Sequence, residues 1–433
     1  MHAQISHPQV PVLIVGGGPA GLVTAITLAR YGIRSLLVER RRELSDEPRA
    51  TAVSTRSMEL LRSWGLESAM REGEVDATLR GRMGETLTGR GEEIPLGYPT
   101  PEEAAAFSPT APIVAPQDYL EPLLLDHLRG FGEAEIRFGT EVLDVAVGEA
   151  GVLAQIRLVD GGPVETIGAR YLVGADGVRS RVRDALGIGM TGPGAVADAA
   201  SVLFDAPLWD YVERPGYGIY PVTRPIEGVF VASSNGERWT YGIRADVGRL
   251  PAWTFDEAVM ARCIRDASGI PELQPRIRRI RKFQYVAGVA ERFRAGSAFL
   301  AGDAAHRVTP RGGTGMNTAI RNSFDLGWKL AWVLRGWAGE SLLDTYESER
   351  RPIAEHNVAR SVDPNGSVRP PGEELRVDLG GRIAHHWLEG EEGRRSTIDL
   401  VGSGLTLLTR RGNGGAGASA LLGSGPLVEL HEL

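Results

Sequence analysis

The sequence predicts an α/β fold in which a Rossmann-like domain with a parallel sheet is interleaved with an antiparallel β-sheet domain. Three observations support this prediction. A dinucleotide-binding βαβ pattern occupies residues 10–41, and two further strand–turn–helix units occupy residues 169–188 and 296–334. Between these units, several short stretches alternate apolar and polar residues as antiparallel strands do. The 433 residues are enough for two or three domains.

The first unit carries a glycine-rich turn between a strand and a helix. Residues 12–15 are apolar, as in a buried parallel strand, and residues 20–30 have helical spacing. Between them, Gly16 permits a tight turn, Gly18 lets a pyrophosphate approach the backbone, and Gly21 lets helix and strand pack closely. The N-terminus of such a helix offers free N–H groups and a positive dipole end to phosphates. This unit therefore predicts a dinucleotide site.

A second strand at residues 35–38 leads into Glu39, eighteen residues after Gly21. At this spacing a carboxylate accepts a hydrogen bond from a ribose hydroxyl of the dinucleotide. Because a carboxylate repels a 2′-phosphate, the site does not favour NADP. On these residues, NAD and the ADP half of FAD both stay open.

The second unit has a strand at residues 171–173, a turn at Asp176 and Gly177, and a helix at residues 180–185. Taken by itself, this pattern fits any β-turn-α unit. Its meaning therefore depends on the units before and after it.

The third unit begins with a strand at residues 298–301, and Asp303 lies at its carboxyl end, where open α/β sheets bind ligands. Glycines at positions 312, 313 and 315 then form a loop before a long helix that begins near Met316. The start of that helix offers free N–H groups and a positive dipole end. Such a helix end can hold an electron-rich ring that becomes anionic on reduction.

Together the three units resemble the FAD-dependent aromatic hydroxylases, the single-component flavoprotein monooxygenases with the p-hydroxybenzoate hydroxylase fold. The G-x-G-x-x-G, Asp-Gly and Gly-Asp motifs follow that family's order and spacing over roughly residues 10–360. Within the family, the chain looks closest to hydroxylases that tailor aromatic polyketides, as in antibiotic biosynthesis, and to chlorophenol hydroxylases. The resemblance implies FAD as cofactor and NADPH or NADH as transient reductant. It also implies that O₂ forms a flavin C4a-hydroperoxide, which hydroxylates a phenolic or quinonoid polycyclic substrate.

The resemblance also implies a set of FAD contacts. Arg49 would contact the FAD phosphates or the ribityl region, and Gln117 would contact the flavin side chain. Asp176 would support the pyrophosphate and the nicotinamide region, and Asp303 would hold ribityl hydroxyls. Pro310 would line the flavin face where oxygen reacts. The full set is Gly16, Gly18, Gly21, Glu39, Arg49, Gln117, Asp176, Asp303, Pro310, Gly315, Met316 and Asn317, of which the last three would offer backbone N–H groups to the flavin ring.

Two residues near the third motif have open interpretations. Arg311 stands where the family usually has threonine or another small residue, so it places a cation near the flavin or substrate, or it points to solvent. We include Arg311 with Pro310 as a candidate catalytic residue. His306 is expected to be a packing or hydrogen-bonding residue, with catalysis as the alternative.

The resemblance divides the chain into three parts. The FAD-binding domain would comprise residues 1–70, 113–188 and 289–361, and the substrate-binding domain residues 71–112 and 189–288. Residues 362–433 would be a linker followed by a shortened remnant of a thioredoxin-like C-terminal domain, since about sixty residues remain for it and residues 410–425 are rich in glycine.

In the substrate-binding domain, an antiparallel sheet is expected to cover the substrate above the flavin. Five aromatic residues on its strands are candidates for an aromatic wall, with ordinary sheet core as the alternative for each: Tyr217, Tyr220, Phe230, Trp239 and Tyr241. Residues 276–283, RIRRIRKF, place cations on one strand face. This face is either a solvated edge or a path for an anionic substrate or a nicotinamide phosphate.

Composition narrows the class of protein further. The net charge of −7 argues against nucleic acid as a partner, and no window of eighteen apolar residues predicts a membrane span. Cys263 is the only cysteine, which excludes an intramolecular disulfide and a thiolate metal cluster, and we predict no metal site. Because the first ten residues lack the features of a secretion signal, we expect a cytoplasmic protein. The expected partners are the aromatic substrate and O₂, and a homodimer stays open.

Two other functions fit the same motifs. The same scaffold could insert oxygen beside a ketone, as in a Baeyer–Villiger reaction, which gives an ester or lactone. The chain could also be a non-catalytic flavin-binding protein, which would bind FAD without substrate-stimulated oxidation of NAD(P)H.

Overall fold

The structure is a computed structural model that describes residues 9–246, 256–390, 393–409 and 428–432. Its helices are α1 (Pro19–Arg30), α2 (Thr55–Ser63), α3 (Glu67–Glu72), α4 (Pro101–Ala104), α5 (Gln117–Arg129), α6 (Arg181–Ala185), α7 (Glu257–Ser268), α8 (Gly315–Leu334), α9 (Thr345–Val362) and α10 (Pro371–Leu379). Its strands are β1 (Val10–Val15), β2 (Ser35–Glu39), β3 (Ala52–Val53), β4 (Ala77–Gly84), β5 (Gly91–Pro95), β6 (Ile113–Val114), β7 (Ala134–Phe138), β8 (Thr140–Gly148), β9 (Gly151–Leu158), β10 (Glu165–Gly174), β11 (Met190–Asp205), β12 (Gly216–Val222), β13 (Gly228–Ala232), β14 (Arg238–Ala245), β15 (Arg276–Ala290), β16 (Arg294–Ala295), β17 (Ala298–Leu300), β18 (His306–Arg307), β19 (Trp387–Gly390), β20 (Gly393–Ser396), β21 (Leu405–Thr409) and β22 (Val428–Glu432).

The first sheet has the order β16-β17-β10-β1-β2-β7, with β9 paired to β10 and β8 paired to β9. Strand β1 pairs in parallel with both β2 and β10, and β10 pairs in parallel with β17. Parallel strands are covered on both faces and are therefore apolar throughout, as β1 is over Val12, Leu13, Ile14 and Val15. Helix α1 packs against α5 and α8. The predicted βαβ unit is present.

The three sequence motifs meet at the carboxyl ends of these parallel strands. Ala20, Ala175 and Ala319, one from each motif, form a small buried cluster. The Ala175 N–H donates to the Val15 carbonyl, and the Ala301 N–H donates to the Gly174 carbonyl, 2.8 Å and 2.9 Å away. Segments that are more than 100 residues apart in the chain thus form one edge of one sheet, which is where a ligand of an open α/β sheet binds.

The second sheet has the order β18-β15-β11-β14-β13-β12-β4-β5. It is antiparallel as predicted, except that β12 pairs with β4 in parallel. The long strand β15 continues across position 289, where we placed a domain boundary, and its residues 288 and 289 pair with β18 just after the third motif. We call the part of the chain built on the first sheet the first domain and the part built on the second sheet the second domain. The two domains therefore share strand β15.

One face of the second sheet is packed and the other is partly open. Along β12 and β14, buried residues alternate with half-buried ones, which is the period of a strand with two different faces. The packed face lies against α7, through residues such as Met260 and Ile264. The opposite face is turned toward the first domain, because Arg238 of β14 binds Asp118 of α5 with Nη1 and Oδ2 2.6 Å apart.

The C-terminal segment packs on the first domain. Asp378 of α10 accepts hydrogen bonds from the Ser54 hydroxyl at 2.9 Å and from the Arg56 N–H at 3.1 Å, and it forms an ion pair with Arg321 of α8. Strands β19 and β20 form a hairpin, and β21 pairs with β22 in parallel. The assignment of this segment to a shortened thioredoxin-like domain stays a prediction, and the glycine-rich residues 410–425 lie outside the described residues.

Within the described ranges, no helix is both long and apolar enough to cross a membrane.

Candidate active site

The glycine-rich loop after β1 is shaped by two close backbone approaches. Gly16 has a φ of 110°, and a Cβ at this position would lie 2.3 Å from the Ala175 carbonyl oxygen. A Cβ on Gly21 would lie 1.8 Å from the Gly16 carbonyl oxygen. Both positions therefore require glycine, as predicted, because a side chain would collide with backbone that cannot move aside.

Gly18 has a different environment. It is the N-cap of α1, and among the described residues no side chain caps this helix. No described heavy atom lies within 4 Å of where its Cβ would be. An uncapped helix N-terminus beside open space fits a pyrophosphate, which the N–H groups and the helix dipole would hold.

Glu39 closes β2 beside this loop. Its carboxylate accepts from the Gly17 N–H at 2.6 Å and from the Arg41 N–H at 2.8 Å. Each carboxylate oxygen has a second lone pair, so the predicted hydrogen bond from a ribose hydroxyl is still available.

Asp176 has a structural role, because its carboxylate already accepts hydrogen bonds within the protein. Its carboxylate accepts hydrogen bonds from the Ser180 hydroxyl and from the Val182 N–H, and so it anchors the start of α6. Burial raises the pKa of Asp176, while these hydrogen bonds oppose that shift. Its contact with the pyrophosphate stays a prediction.

Arg49 and Gln117, predicted to contact FAD together, come from neighbouring segments. The Gln117 N–H donates to the Ala50 carbonyl at 2.7 Å, which joins the start of α5 to residues 40–51, the cofactor loop. The Gln117 side chain donates to Glu121 at 2.6 Å. Burial raises the pKa of Glu121, and the nearby charge of Arg49 partly opposes that shift.

Asp303 is exposed at the carboxyl end of β17, as predicted from the sequence. Desolvation by the protein that surrounds its carboxyl group raises the pKa of Asp303, and the positive charges of Arg49 and Arg307 partly oppose that effect. An accessible carboxylate among cations is suited to accept hydrogen bonds from ribityl hydroxyls.

The glycine-rich turn before α8 is stabilised by a hydrogen bond from a residue outside the motif, Tyr98. Gly312 and Gly313 have φ angles of 79° and 63°, which glycine adopts without strain. The Tyr98 hydroxyl donates to the Gly313 carbonyl at 3.0 Å and lies 3.4 Å from that of Gly312. Sequence reasoning missed Tyr98, because its partner is a backbone carbonyl 215 residues away.

Replacing Tyr98 by phenylalanine should loosen this turn and weaken FAD binding by about three- to tenfold, since one hydrogen bond contributes about 1 kcal/mol. The dissociation constant is measured by titrating the FAD-free protein and following flavin fluorescence. Tyr211→Phe is a matched control, because Tyr211 is 43% exposed on the second domain. Equal affinities for the two variants would contradict this role.

Asn317 fixes the start of α8. Its Oδ1 accepts from the Ser54 N–H at 2.9 Å and the Ser57 hydroxyl at 2.8 Å. Its Nδ2 donates to the carbonyls of Ala52 at 2.9 Å and Gly313 at 3.2 Å. The side chain is thus occupied. The backbone N–H groups of Gly315, Met316 and Asn317 lie in the first turn of α8, where a helix offers no internal acceptor.

Arg311 does not have the catalytic position that we predicted. Its guanidinium donates to the carbonyl of Asp363 at 3.2 Å and lies 3.5 Å from that of Val362, at the C-terminal end of α9. A cation at a helix C-terminus satisfies free carbonyls and the negative dipole end. Arg311 therefore stabilises a helix end, whereas Pro310 beside it is exposed, as a residue lining the flavin would be.

Replacing Arg311 by alanine should therefore lower the melting temperature by about 2 °C, for a loss of about 1 kcal/mol, and leave kcat within about twofold. Thermal melting and steady-state kinetics check both expectations. Arg90→Ala, at an exposed arginine of the second domain, is the control. A large loss of kcat without a change in melting temperature would restore the catalytic interpretation.

His306 is a buried hydrogen-bonding residue, the first of our two interpretations. Arg350 Nε donates to Asn322 Oδ1 at 2.8 Å, so the amide NH₂ of Asn322 faces His306 Nε2, 3.0 Å away. Burial lowers the pKa of His306 to about 4, with the charges of Arg350 and Arg321 adding to the effect. The ring is therefore neutral at neutral pH.

Four of the five predicted aromatic wall residues are instead sheet core. Tyr220, Phe230, Trp239 and Tyr241 are at most 2% exposed, and they pack on the face that contacts α7. The alternation along their strands places them on the face away from the first domain. Tyr217 is half-buried, and its ring packs edge-on against Tyr220 with centroids 5.7 Å apart.

A different aromatic pair faces the first domain. On one face of β15, Arg279 and Arg281 bind the cofactor loop, and further along the same face Ala287 and Val289 join the core of the first domain. Phe283 and Tyr285 lie between these two contacts on that face. Their rings pack edge-on with centroids 5.4 Å apart, and Phe283 is 40% exposed.

This pair lies on the strand that pairs with β18, which follows Asp303 in the chain. Because β18 is antiparallel to β15, the chain that leaves β18 toward Pro310 runs in the direction of Tyr285. From this topology we infer a space between the exposed residues Asp303 and Pro310 and the aromatic residues Phe283 and Tyr285, and we call it the interdomain cleft. Sequence analysis missed the pair, because the alternation on a strand does not show which face is turned toward a second domain.

The described residues fit FAD well. They provide an uncapped helix N-terminus at an open glycine, a carboxylate at the predicted ribose position, an accessible carboxylate at the predicted ribityl position, and a second helix N-terminus at the predicted flavin position. The fold and this site together define a flavoprotein with a Rossmann-like domain and a second, largely antiparallel sheet.

Comparisons with known proteins agree with this class. The family described as FAD binding domain matches residues 9–361. A putative polyketide hydroxylase from Streptomyces halstedii is 36% identical, with 93% of this chain and 81% of the relative covered. Aklavinone 12-hydroxylase DnrF from Streptomyces peucetius subsp. caesius is 35% identical, with 96% and 94% covered. The crystal structure of an aklavinone-11 hydroxylase in ternary complex with FAD and aklavinone has a TM-score of 0.87 at 33% identity, with 99% of this chain and 89% of that chain covered.

The chain belongs to the FAD-dependent aromatic hydroxylases, the single-component flavoprotein monooxygenases. The predictions of an FAD cofactor and of a monooxygenase are thereby confirmed.

Proposed function

We propose that this monooxygenase hydroxylates a phenolic or quinonoid polycyclic aromatic of the polyketide type. The observation that carries the proposal is the aromatic pair Phe283 and Tyr285, which lies on the face of β15 turned toward the first domain, on the strand that pairs with β18 shortly before Pro310. A planar polycycle can stack or pack edge-on against such rings, which contribute binding beyond their buried area. Relatives named as polyketide and aklavinone hydroxylases support the same substrate class.

When bound, FAD reduced by NADPH or NADH would supply the activated oxygen, as the flavin C4a-hydroperoxide. The chain itself would bind and orient the ring, so that one ring carbon lies against the cofactor. The second sheet would cover the cleft and exclude water. Burial raises the pKa of Tyr285, so its hydroxyl stays protonated at neutral pH and is a donor for an oxygen atom of the substrate.

The test uses protein loaded with FAD. Oxidation of NADPH and of NADH is followed in air against a panel of polycyclic phenols and quinones, and product masses are recorded. The expected result is strong stimulation by one class of polycycle, with a product that gains one oxygen on a ring. An ester or lactone product would replace hydroxylation by Baeyer–Villiger oxygen insertion. Slow, unstimulated oxidation with every compound would contradict the proposed substrate class.

A further inference from the structure

Glu47, in the cofactor loop, has an unusual set of partners. Its side chain is 12% exposed, and three arginines contact its carboxylate. Arg49 Nε lies 3.5 Å from one oxygen, Arg279 Nη1 lies 3.0 Å from the other, and Arg281 contacts that second oxygen as well. One carboxylate thus holds three positive charges together.

These three arginines come from different parts of the molecule. Arg49 belongs to the cofactor loop, and its charge is close enough to Asp303 to oppose the rise in the pKa of that carboxyl group. Arg279 and Arg281 lie on β15, on the face that presents Phe283 to the interdomain cleft two residues further on. Glu47 is therefore the link between the arginine predicted to contact FAD and the strand that faces the substrate position.

This arrangement also accounts for the cationic stretch at residues 276–283. Arg276 and Arg278 both bind Asp205, while Arg279 and Arg281 bind the acidic pair Asp46 and Glu47. These four cations are occupied by carboxylates. The stretch thus holds domains and loops together, and its sequence does not require an anionic ligand.

Asp46 differs from Glu47 in one informative way. It binds Arg279 through two hydrogen bonds of 2.8 Å and 2.9 Å, but its side chain is 74% exposed. Of these two residues, Glu47 is the one that forms an ion pair with Arg49. An exposed ion pair contributes little, whereas removing a mostly buried carboxylate leaves three like charges close together.

We propose that Glu47 is a positioning residue for the cofactor: its carboxylate orients Arg49 toward Asp303 and FAD, and it ties the cofactor loop to β15. Without this carboxylate, Arg49 is repelled by Arg279 and Arg281 and leaves its position. The proposal depends on FAD binding and not on the identity of the substrate.

The test compares Glu47→Gln with Asp46→Asn, each of which removes one charge from the same loop at nearly constant size. We expect Glu47→Gln to weaken FAD binding about tenfold and Asp46→Asn to change it less than about twofold. Thermal melting of the FAD-free variants shows whether they fold equally well. Glu47→Asp, which keeps the charge, should restore part of the affinity.

A double-mutant cycle with Arg49→Ala separates positioning from a general structural effect. If Glu47 acts on FAD mainly through Arg49, Glu47→Gln weakens FAD binding much less once Arg49 is removed, because only the contact with β15 is then lost. Equal losses for Glu47→Gln and Asp46→Asn, or full additivity with Arg49→Ala, would overturn the proposal. Because FAD binding is measured without substrate, failure here is distinct from failure of the proposed hydroxylation.

Discussion

Gly21→Ala is expected to melt at a clearly lower temperature than the natural protein and to lose FAD binding. Its Cβ would lie 1.8 Å from the Gly16 carbonyl oxygen, so either α1 or the glycine-rich loop must move. Gly16 cannot give way easily, because its own backbone has a φ of 110° and lies against Ala175. Overpacking of this kind costs about 1–3 kcal/mol or more, and here it also displaces the N–H groups that face the pyrophosphate.

Gly18→Ala is the matched control. Gly18 has a φ of −79°, which alanine adopts without strain, and its Cβ would enter open space. This variant should therefore fold as stably as the natural protein but bind FAD more weakly, because the added methyl group projects into the predicted pyrophosphate position. Thermal melting of the FAD-free proteins and FAD titration measure the two effects separately. If both variants were destabilised equally, the distinction between packing and binding glycines would be wrong.

Asp303→Asn should weaken FAD binding by about 10- to 100-fold. Hydrogen bonds to a charged group contribute about 1.5–3 kcal/mol, and the amide presents only one acceptor oxygen to the ribityl hydroxyls. Flavin content after purification and FAD titration provide the measurement. Asp144→Asn, at an exposed position of β8, is the control. An unchanged flavin content in the Asp303 variant would contradict its predicted role.

The same substitution has an opposite effect on the FAD-free protein. Because its surroundings raise the pKa of Asp303, the folded protein binds this proton more tightly than the unfolded chain does. The stability contributed by this group is therefore complete below the unfolded pKa, and it is lost as the pH rises from about 4 through the folded pKa. Asp303→Asn lacks this loss, so its melting temperature should exceed that of the natural protein at neutral pH.

Much of the cofactor site was predictable from local sequence. The spacing of Gly16, Gly18 and Gly21 and the position of Glu39 follow from one continuous βαβ unit of about thirty residues. Asp303 was predictable for a similar reason, since it directly follows a short apolar strand. The structure places these residues at the predicted turn and strand ends, and their contacts with FAD stay predictions.

The substrate side was less predictable. A strand with alternating residues must have two faces, but the sequence of Tyr220, Phe230 and Trp239 does not show which face packs against α7. Large aromatic residues contribute most when fully buried, which favours the packed face. Phe283 and Tyr285 follow a run of arginines, and the carboxylate partners of Arg279 and Arg281 lie in the other domain.

The sequence by itself determined the nucleotide-binding unit, the family and the cofactor, because helix N-termini, tight turns and strand ends are built from neighbours in the chain. Only the tertiary structure decided the roles of Arg311, Tyr98 and Glu47. Arg311 binds backbone carbonyls at the end of α9, and Tyr98 donates to a backbone carbonyl 215 residues away. Glu47 forms ion pairs with arginines from two domains. A side chain acts on the atoms that folding brings within a few ångströms of it, and local spacing does not specify those atoms.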